Sequence, residues 1–540
     1  MKTHLLIMTV LAAMARPAAA AEEGAAPAEN PKATRPVAAW DVVPYQVFEK
    51  PFNVGVVAFH ETGCKVEFTV VPGGKEDLAK RHVAENPTLN EQTKVWEYWI
   101  ALDPKSLPDG PVEVRAKVVP LGAGMISRDL EPLPLYSSGG GSLKFGRPVW
   151  VDGASGDDTG DGTEAKPLKT LKAAVKKAPD GGTIYLKAGK GYSPGGLEGG
   201  FKRSYWTVIA AAPGVARDDV ELGPGRPGTD KLCFRNVTLY TDPPKRAYNT
   251  ILSGEQGKTT VWVDNCKMYN KKGRWEGGGV AFGNRYVPYI TGGLTTEMDN
   301  GPGGVLMRDH RIVKITSDAF TGVHTAVNCG VEDIDPGKTG AHPDFHQSYI
   351  GDRTQFNTVI MYNCWGKRCI SQGFFGHNLQ DSAFVNCLFE KRDTVMYSQY
   401  SGLMDHVLFI HITLPNQTWL WREGLKATNC RMIDCIIASM GQSKGVDASG
   451  VALDSNHFIK ADTARGEHAT AGEVEFVDPA KQDYHQKPTS AAAKGGVALQ
   501  CVPADMDGKR YDTKSPSRGC YQAGGEAATA SDGPRGRNQQ

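Results

Sequence analysis

The sequence has almost no net charge, because 61 Lys and Arg residues are balanced by 60 Asp and Glu residues. Nucleic-acid-binding proteins usually carry a basic stripe, and none is found here, so we expect no nucleic-acid partner. Beyond the N-terminal residues, no apolar run is long enough to span a bilayer. No phosphate-binding loop, dinucleotide-binding glycine motif or Ser-His-Asp motif occurs in a convincing context, which argues against those enzyme classes.

Residues 1–20 have the pattern of a signal peptide. Lys2 gives a positive start, Leu5–Met14 is a short apolar run, and Ala18–Ala20 supplies the small residues of a cleavage site. We therefore expect a soluble monomer that is secreted to the periplasm or the extracellular space. Residues 21–39 and 524–540 have the composition of disordered segments.

The 11 cysteines are an odd number, although an exported protein first suggests disulfides. Five of them follow Asn or Asp in β-rich segments: Cys266, Cys329, Cys364, Cys387 and Cys435. This pattern favours one inward column in which cysteine acts as a small apolar residue. A disulfide framework is the alternative, with Cys501 and Cys520 as the pair to test for a bridge.

Residues 40–136 predict a small antiparallel β-sandwich. Four β-rich runs are separated by turn signals: 55–59, 65–70, 96–101 and 112–118. The segment resembles the immunoglobulin-like modules attached to exported bacterial carbohydrate-active enzymes. The resemblance implies either a stabilising spacer or a glycan-binding module. Residues 137–146 are rich in Gly and Ser and are interpreted as a linker.

The stretch Lys314–Glu423 contains an internal repeat. Five segments align, and they place one polar column at intervals of about 24–29 residues: Asp318, Gln347, Gln372, Gln399 and Glu423. A second strand follows out of phase, with Asn363, Asn386, His411 and Asp434 in equivalent positions. Two short strands in each period of this length indicate a solenoid of stacked coils, about ten in all.

The stretch Trp150–Tyr192 runs from a strand through an Asp/Gly loop to an amphipathic helix near 170–178. It resembles the entry segment of right-handed parallel β-helix proteins, among them pectate-lyase-like enzymes. The fold class is therefore expected to be all-β, a right-handed parallel β-helix solenoid over 147–523 preceded by the small antiparallel β-sandwich. The loop at 156–162 suggests either a turn that caps the helix or a site for Ca²⁺.

The segment His342–Gln347 is the densest cluster of titratable residues. On a strand, His342, Asp344 and His346 share one side, and Lys367 and Arg368 follow one coil later. The repeat predicts an inward position for Asp344, which is costly for an unpaired carboxylate. Either it pairs with a histidine, or the segment starts at a bend that takes it out of the core.

The opposite side of these strands is predicted to form a sugar-binding groove. Aromatic rings would cover apolar sugar faces, and amides and carboxylates would bind hydroxyl groups. The aromatic and histidine candidates are Phe345, His377, Tyr397, Trp419 and Trp421, beside the polar column Asp318, Gln347, Gln372, Gln399 and Glu423. Ladders stabilised by stacking alone are the structural alternative.

The segment at Asp344 is weakly similar to the signature of polygalacturonase-type hydrolases, with Gln347 in place of the second aspartate. That departure removes one of the paired carboxylates that hydrolysis needs. The first hypothesis is therefore a polysaccharide lyase, with His342 or His346 as base and Lys367, Arg368 or Ca²⁺ neutralising a uronate. A glycoside hydrolase and a non-catalytic glycan-binding protein are the alternatives.

Overall fold

The computed structural model describes residues 34–194, 197, 202–225, 227–242, 260–274, 287–338, 343–348, 357–391 and 395–524. The predicted signal peptide, most of the segment at 21–39 and the tail from 525 lie outside these residues, as does His342. None of the helices in the described ranges has the length and apolar character that crossing a bilayer requires.

The N-terminal module, residues 34–137, consists of two small sheets. Their strand orders are β1-β3-β7-β6 and β2-β10-β8-β4-β5, and β9 pairs with β8. All neighbouring strands are antiparallel except β2 and β10. The strands are β1 (Val37–Trp40), β2 (Val47–Phe48), β3 (Phe52–Phe59), β4 (Cys64–Pro72), β5 (Lys80–Ala84), β6 (Thr88–Asn90), β7 (Val95–Leu102), β8 (Gly110–Pro120), β9 (Arg128–Asp129) and β10 (Leu133–Ser137).

The rest of the described chain is a parallel β-helix, so the predicted fold class is confirmed. Its strands are β11 (Val149–Val151), β12 (Thr183–Leu186), β13 (Gly189–Tyr192), β14 (Thr207–Ala211), β15 (Val220–Leu222), β16 (Leu232–Arg235), β17 (Thr238–Thr241), β18 (Val261–Asp264), β19 (Lys267–Asn270), β20 (Tyr289–Thr291), β21 (Leu294–Thr296), β22 (Leu306–Arg308), β23 (Arg311–Ile315), β24 (Phe320–Thr321), β25 (Thr325–Val327), β26 (Gly330–Ile334), β27 (His346–Ser348), β28 (Ile360–Tyr362), β29 (Trp365–Cys369), β30 (Gly373–Val385), β31 (Leu388–Lys391), β32 (Val395–Ile410), β33 (Thr413–Trp421), β34 (Leu425–Thr428), β35 (Cys430–Ile433), β36 (Ile436–Gln442), β37 (Val451–Asp454), β38 (His457–Phe458) and β39 (Thr470–Ala471).

The elements outside the solenoid are few. A pair of antiparallel strands follows it, β40 (Phe476–Asp478) and β41 (Asp483–Gln486). One α-helix, α1 (Leu171–Lys177), lies at the start of the solenoid. Short 3-10 helices lie at Glu76–Leu78, Pro104–Ser106, Arg217–Asp219, Ala461–Thr463 and Pro479–Lys481.

The coils present three faces. Face A is formed by β11, β12, β14, β16, β18, β20, β22, β25, β28, the second parts of β30 and β32, β35 and β37. Face B is formed by β13, β15, β17, β19, β21, β23, β26, β29, β31, the start of β33, β36 and β38. Face C is formed by β24, β27, the first parts of β30 and β32, and the ends of β33 and β36.

The corner between faces A and B is a single residue in the left-handed conformation. Its φ lies between 49° and 55° at Asn236, Asn265, Asp309, Asn328, Asn363, Asn386, His411, Asp434 and Ser455. Asn and Asp tolerate this conformation better than most residues. Successive side chains also bond to one another: Asn386 Nδ2 donates to Asn363 Oδ1 at 3.2 Å, and Asn363 Nδ2 donates to Asn328 Oδ1 at 3.1 Å. The predicted Asn-containing ladder is therefore the turn between faces A and B in these nine coils.

The predicted cysteine column is confirmed in the core. Each thiol follows the left-handed corner and lies near a backbone carbonyl of the preceding coil, for example 3.5 Å from Cys387 Sγ to Met361 O. All 11 cysteines are buried and free. The proposed bridge between Cys501 and Cys520 is absent, since both belong to this set of free thiols.

The helix α1 closes the N-terminal end of the solenoid, as the sequence predicts. Leu171, Ala174 and Val175 are buried in the solenoid core beside Val149 and Val151. The Thr170 hydroxyl accepts a hydrogen bond from Ala173 N at 3.1 Å, which caps the helix.

The N-terminal module packs on face A. Phe59 meets Tyr362 edge-on at 5.1 Å between ring centroids, and the Tyr362 hydroxyl donates to Trp96 O at 3.2 Å. Apolar residues of both parts belong to one continuous core cluster. The module is therefore docked on the coils by a buried apolar interface.

The C-terminal segment, residues 490–523, covers the A–B corner. Tyr511 stacks on His411 with 4.1 Å between ring centroids, and its hydroxyl lies 3.1 Å from Asn386 Oδ1. Ala504 O accepts a bond from Asn386 Nδ2 at 2.8 Å, and Gln500 Nε2 donates to Cys64 O of the module. Face A and the A–B corner are thus covered over much of their length.

Replacing Asn386 with alanine should destabilise the solenoid. The change removes the hydrogen bonds to Asn363, Ala504 and Tyr511 and places alanine at a positive φ. We therefore expect the free energy of unfolding to fall by roughly 2–4 kcal/mol. Glycine at 386 should cost about 1 kcal/mol less than alanine, because glycine adopts this conformation without strain. Denaturant midpoints would measure both changes, with exposed Lys426→Ala as the control. Equal midpoints for the wild type and Asn386→Ala would contradict the role of the corner.

Candidate active site at the B–C corner

Three polar residues from successive coils stack at the corner where the chain enters face C. Phe320 pairs with His346, and His346 pairs with Phe374, so Asp344 lies between Asp318 and Gln372. The backbone bonds agree, since Asp344 N donates to Asp318 Oδ1 at 3.0 Å and Gln372 N donates to Pro343 O at 2.8 Å. We call Asp318, Asp344 and Gln372, with Asn300 of the preceding coil, the polar column.

The two carboxyl groups of the polar column lie in different surroundings. Asp344 is fully buried, and neither of its carboxyl oxygens has a hydrogen-bond partner among the described residues. Burial, and next the neighbouring Asp318 charge, raise the pKa of Asp344 to about 9. Asp344 is therefore a protonated acid at neutral pH, while Asp318 retains 8% exposure and accepts the Asp344 backbone N–H. Two adjacent carboxyl groups in different surroundings are a candidate acid–base pair.

Asn300 extends the polar column by one coil. Its side-chain oxygen accepts a hydrogen bond from Asp318 N at 3.2 Å, and Gly301 N donates to Asp318 O at 2.8 Å. Coils are stacked about 4.8 Å apart, so four successive coils give a row of amide and carboxyl groups, in which Asn300, Asp318 and Asp344 are buried and Gln372 is half-buried.

A charged cavity of about 390 Å³ lies at the same corner, where face B ends. It is lined by three cationic and three anionic residues: Arg274, Lys314, Arg368, Glu297, Asp333 and Asp335. Glu297, Lys314, Asp333 and Arg368 are left-handed, with φ between 54° and 59°, and form the B-side counterpart of the Asn-containing corner. Lys314 and Arg368 precede Asp318 and Gln372 by a few residues in the same coils, so the cavity borders the polar column along the chain.

The charges in the cavity are largely paired. Arg368 binds Asp333 at 2.7 Å, Glu332 at 2.7 Å and the Gln482 side chain at 2.6 Å. These partners raise the pKa of Arg368 and hold its guanidinium in place. Lys314 lies 3.2 Å from Glu297, and both are substantially exposed. The cavity therefore contains fixed charges of both signs in equal number, and it has no net charge that would favour a cation or an anion.

The predicted register of the polar residues is wrong by three positions. The sequence alignment placed Gln347 between Asp318 and Gln372, whereas Asp344 occupies that place. Gln347 instead pairs with Thr321 and Phe375, and Phe375 pairs with Gln399. The coils differ in the length of the segment between faces B and C, which the spacing of similar motifs does not reveal. An offset by an odd number of residues also exchanges the two sides of a strand.

The predicted exposed aromatic groove is wrong for the rings that the structure describes. Phe345, Trp419 and Trp421 are buried in the solenoid core. Phe345 lies 4.5 Å from Phe389, and Trp419 lies 4.9 Å from Phe409, between ring centroids. The side of face C that carries these rings points inward, because the coils need large apolar groups to fill their centre. The side chains of His377, Tyr397 and Gln399 lie outside the described residues, and Glu423 is exposed.

The histidine and lysine candidates occupy different surroundings from the polar column. His346 is buried, its Nε2 lies 3.0 Å from Val323 O, and burial lowers its pKa to about 4. Lys367 lies on face B with its Nζ 5.4 Å from the Trp365 ring, and burial lowers its pKa. The bend that would take Asp344 out of the core is wrong, because Asp344 is buried. Its described neighbour is Asp318 of the preceding coil, and His342 lies outside the described residues.

Sequence reasoning missed Asn300 and most of the cavity. Asn300 lies between β21 and β22, outside the aligned repeat of residues 314–423. The signal that would have found the cavity is the row of charged residues at the end of successive face B strands. The positive φ values of these charged residues depend on the tertiary structure, since charged residues rarely adopt this conformation unless the stacking of coils imposes it.

The aspartate-rich loop uses its carboxylates to hold turns. Asp158 accepts bonds from Lys169 N, Thr170 N and the Thr170 hydroxyl, between 2.8 and 2.9 Å. Asp157 and Asp161 each accept a bond from the backbone two residues later. This arrangement is the helix-capping alternative of the sequence analysis, and the Ca²⁺ site stays a prediction.

Comparisons with known proteins are limited to distant similarities. No protein-family model matches the chain. The tRNA nuclease WapA of Bacillus subtilis strain 168 is 28% identical over 129 residues, and tRNA3(Ser)-specific nuclease WapA of Bacillus spizizenii is 30% identical over 129 residues. Each match covers 24% of this chain and 5% of the length of the curated relative.

Two solved structures are similar in outline. A rhamnogalacturonan lyase has a TM-score of 0.31 and 13% identity, covering 62% of this chain and 91% of that one. The GH136 lacto-N-biosidase from Eubacterium ramulus has a TM-score of 0.29 and 11% identity, covering 58% and 67%. At these TM-scores the matches assign neither a family nor an activity to the chain.

The raised pKa of Asp344 predicts a specific pH dependence of stability. Between about pH 4 and pH 9 this carboxyl is ionised in the unfolded chain and protonated in the fold, so unfolding releases a proton and stability falls as the pH rises. Asp344→Asn removes this ionisation. Its advantage in unfolding free energy over the wild type should therefore grow by up to about 1.4 kcal/mol per pH unit in that window. Denaturant titrations from pH 5 to 8 measure the difference, with exposed Glu423→Gln as control, and a pH-independent difference would refute the protonated state.

Proposed function

We propose that this chain is an exported enzyme that cleaves a polysaccharide by hydrolysis at the B–C corner. The observation that carries the proposal is the pairing of a protonated carboxylic acid, Asp344, with a second carboxyl group, Asp318, from the adjacent coil. Glycoside hydrolysis uses two such carboxyl groups in different protonation states. Export to the periplasm or extracellular space and a monomeric state are part of this proposal, on the N-terminal sequence pattern.

Each carboxyl group has a distinct role in this proposal. Asp344 is buried in this structure and has to become accessible to give its proton to the oxygen of the leaving sugar; the pKa of about 9 keeps it protonated until then. Asp318 accepts a proton from water or attacks the sugar carbon, and its partial exposure admits solvent. The absent second aspartate of the polygalacturonase-like motif is thus replaced by a residue that precedes Asp344 by 26 positions.

The substrate is proposed to be a polymer that lies along the coils. Gln372, which is half-buried, stands beside the two carboxyl groups and offers an amide for sugar hydroxyls, whereas Asn300 is buried and its side-chain oxygen accepts from Asp318 N. The neighbouring cavity adds fixed charges of both signs. A row of this kind selects an extended chain more readily than a single sugar, because binding energy accumulates from several coils.

A polysaccharide lyase is the second candidate, and the cations of the cavity favour it. Arg274, Lys314 and Arg368 bring three positive charges to one place beside the polar column, where the carboxylate of a uronate could be neutralised. The pairing of Arg368 with Asp333 and Glu332 weakens this candidate, because its guanidinium is already engaged. A glycan-binding protein without catalysis is the outcome expected if neither product forms.

Asp344→Asn and Asp318→Asn should each lower kcat by a factor of about 100 or more, because each removes a proton-transfer group. New reducing ends released from a panel of neutral and uronic-acid polymers measure hydrolysis, and ultraviolet absorbance of an unsaturated product measures elimination. We expect reducing ends without the unsaturated product.

Asp434→Asn provides the matched control. Asp434 is also a buried aspartate with a raised pKa, about 8, but it lies at the A–B corner and accepts bonds from Val497 N at 2.9 and 3.0 Å. Its variant should keep the wild-type kcat. Wild-type rates in both column variants would refute the assignment, and an unsaturated product would replace hydrolysis with elimination.

A further inference from the structure

A second group of titratable side chains lies far from the polar column, where the N-terminal module meets the solenoid. His60 and Glu61 follow β3 of the module, and His406 belongs to β32 of the solenoid, 345 residues beyond Glu61. His60 and His406 are 0% and 2% exposed, and Glu61 is also largely buried. Nothing in the proposed glycan chemistry uses these residues.

The three side chains direct their polar atoms at one point. His406 Nε2 lies 3.3 Å from Glu61 Oε2, and His60 Nε2 lies 3.6 Å from the same oxygen. One ligand atom from each residue falls within 4.8 Å of the others. Donor atoms held at about 2.0–2.2 Å around a tetrahedral Zn²⁺ are separated by roughly 3.3–3.6 Å, so the two histidine–glutamate separations already match that geometry.

The far side of each imidazole is held by another polar group. His406 Nδ1 lies 3.0 Å from Asp381 Oδ1, and Asp381 in turn pairs with Arg128 of the module. His60 Nδ1 lies 2.8 Å from the Thr62 hydroxyl and 3.2 Å from Thr62 N. A carboxylate behind a ligating histidine orients the ring and increases its basicity. Only His406 has a carboxylate behind its ring, since His60 Nδ1 accepts from Thr62 N, but both Nε2 atoms face Glu61.

A fourth donor is already in place. The Thr34 hydroxyl lies 2.9 Å from His60 Nε2 and donates to Glu61 Oε1 at 3.0 Å. Thr34 is 5% exposed. Thr34 therefore lies on the side of the cluster that the two histidines and the glutamate leave open. Either its hydroxyl or a water molecule bound to it would complete the set of ligands.

We propose that His60 Nε2, His406 Nε2 and the Glu61 carboxylate bind a divalent transition-metal ion, of which Zn²⁺ fits best, with Thr34 or water as fourth ligand. Two imidazoles and one carboxylate are donors that Zn²⁺ accepts and that Ca²⁺ and Mg²⁺ disfavour. Metal binding at His60 Nε2 requires the proton on Nδ1, so the bond that Nδ1 accepts from Thr62 N has to give way to one that Nδ1 donates to the Thr62 hydroxyl. The ion would clamp the module to the coil that contains His406.

The cluster is distinguished from another group with similar residues. Asp454, Glu467 and His468 also bring three donor atoms together, but Glu467 and His468 are exposed, and His468 is 72% accessible. Exposed acidic groups commonly lie close together without a metal. That group supplies a control for the experiment.

Titration of the chelator-treated full chain with Zn²⁺, and in parallel with Co²⁺, tests the proposal. We expect one ion per chain by calorimetry, intense visible absorption from tetrahedral Co²⁺, and a higher Tm in the loaded protein. X-ray absorption of the Zn²⁺ form should show two imidazoles with oxygen ligands. Binding of less than one-tenth of an ion per chain, about tenfold below the single site expected, would overturn the proposal. An octahedral Co²⁺ spectrum would overturn it as well.

Four variants locate the ion. His406→Gln and Glu61→Gln should abolish the tetrahedral Co²⁺ spectrum, and Asp381→Asn should weaken the affinity by about 10–100-fold because it removes the group behind His406. His468→Gln, from the exposed cluster, should bind as the wild type does. Far-UV spectra and Tm of the metal-free proteins verify folding. If the first two variants fail to fold, the Asp381→Asn titration and the wild-type absorption spectrum decide, and an unchanged Asp381→Asn affinity would overturn the assignment.

Discussion

Nine coils of this protein turn from face A to face B through one non-glycine residue with a positive φ. The positions are occupied mainly by Asn and Asp, whose short polar side chains tolerate the left-handed conformation and reach the equivalent residue of the next coil. The cysteine that follows in many coils then fills the narrow space behind the corner. The regular stacking that brings distant residues together depends on this corner, because a shift there would move all strands of the coil.

The same stacking determines where chemistry is available. The N-terminal module covers face A, and the C-terminal segment covers the A–B corner, where Tyr511 packs against His411. The B–C corner carries the polar column and the charged cavity instead. The burial of Asp344 beside Asp318 is a cost to the fold, since desolvation favours the neutral acid. A cost of this kind is typical of groups that are retained for proton transfer.

The module and the solenoid are joined by more than the connecting chain. The apolar interface around Phe59 and Tyr362 lies on face A, and the cluster of His60, Glu61 and His406 lies within the same boundary. The polar groups of a cluster inside an apolar interface need hydrogen-bond or ion-pair partners, because an unpaired buried polar group costs free energy. The module is therefore held in one position on the coils, whether or not it is also a spacer.

The sequence by itself determined the solenoid, the capping helix and the cysteine column, because these follow from local periodicity and residue size. Only the tertiary structure decided the partner of Asp344 and the inward position of Phe345, Trp419 and Trp421. The physical reason is that coils of unequal length stack by backbone hydrogen bonds and core volume, whereas the similarity of motifs fixes register only to within a few residues. An error of three positions replaced Asp344 with Gln347 and exchanged the buried and open sides of face C.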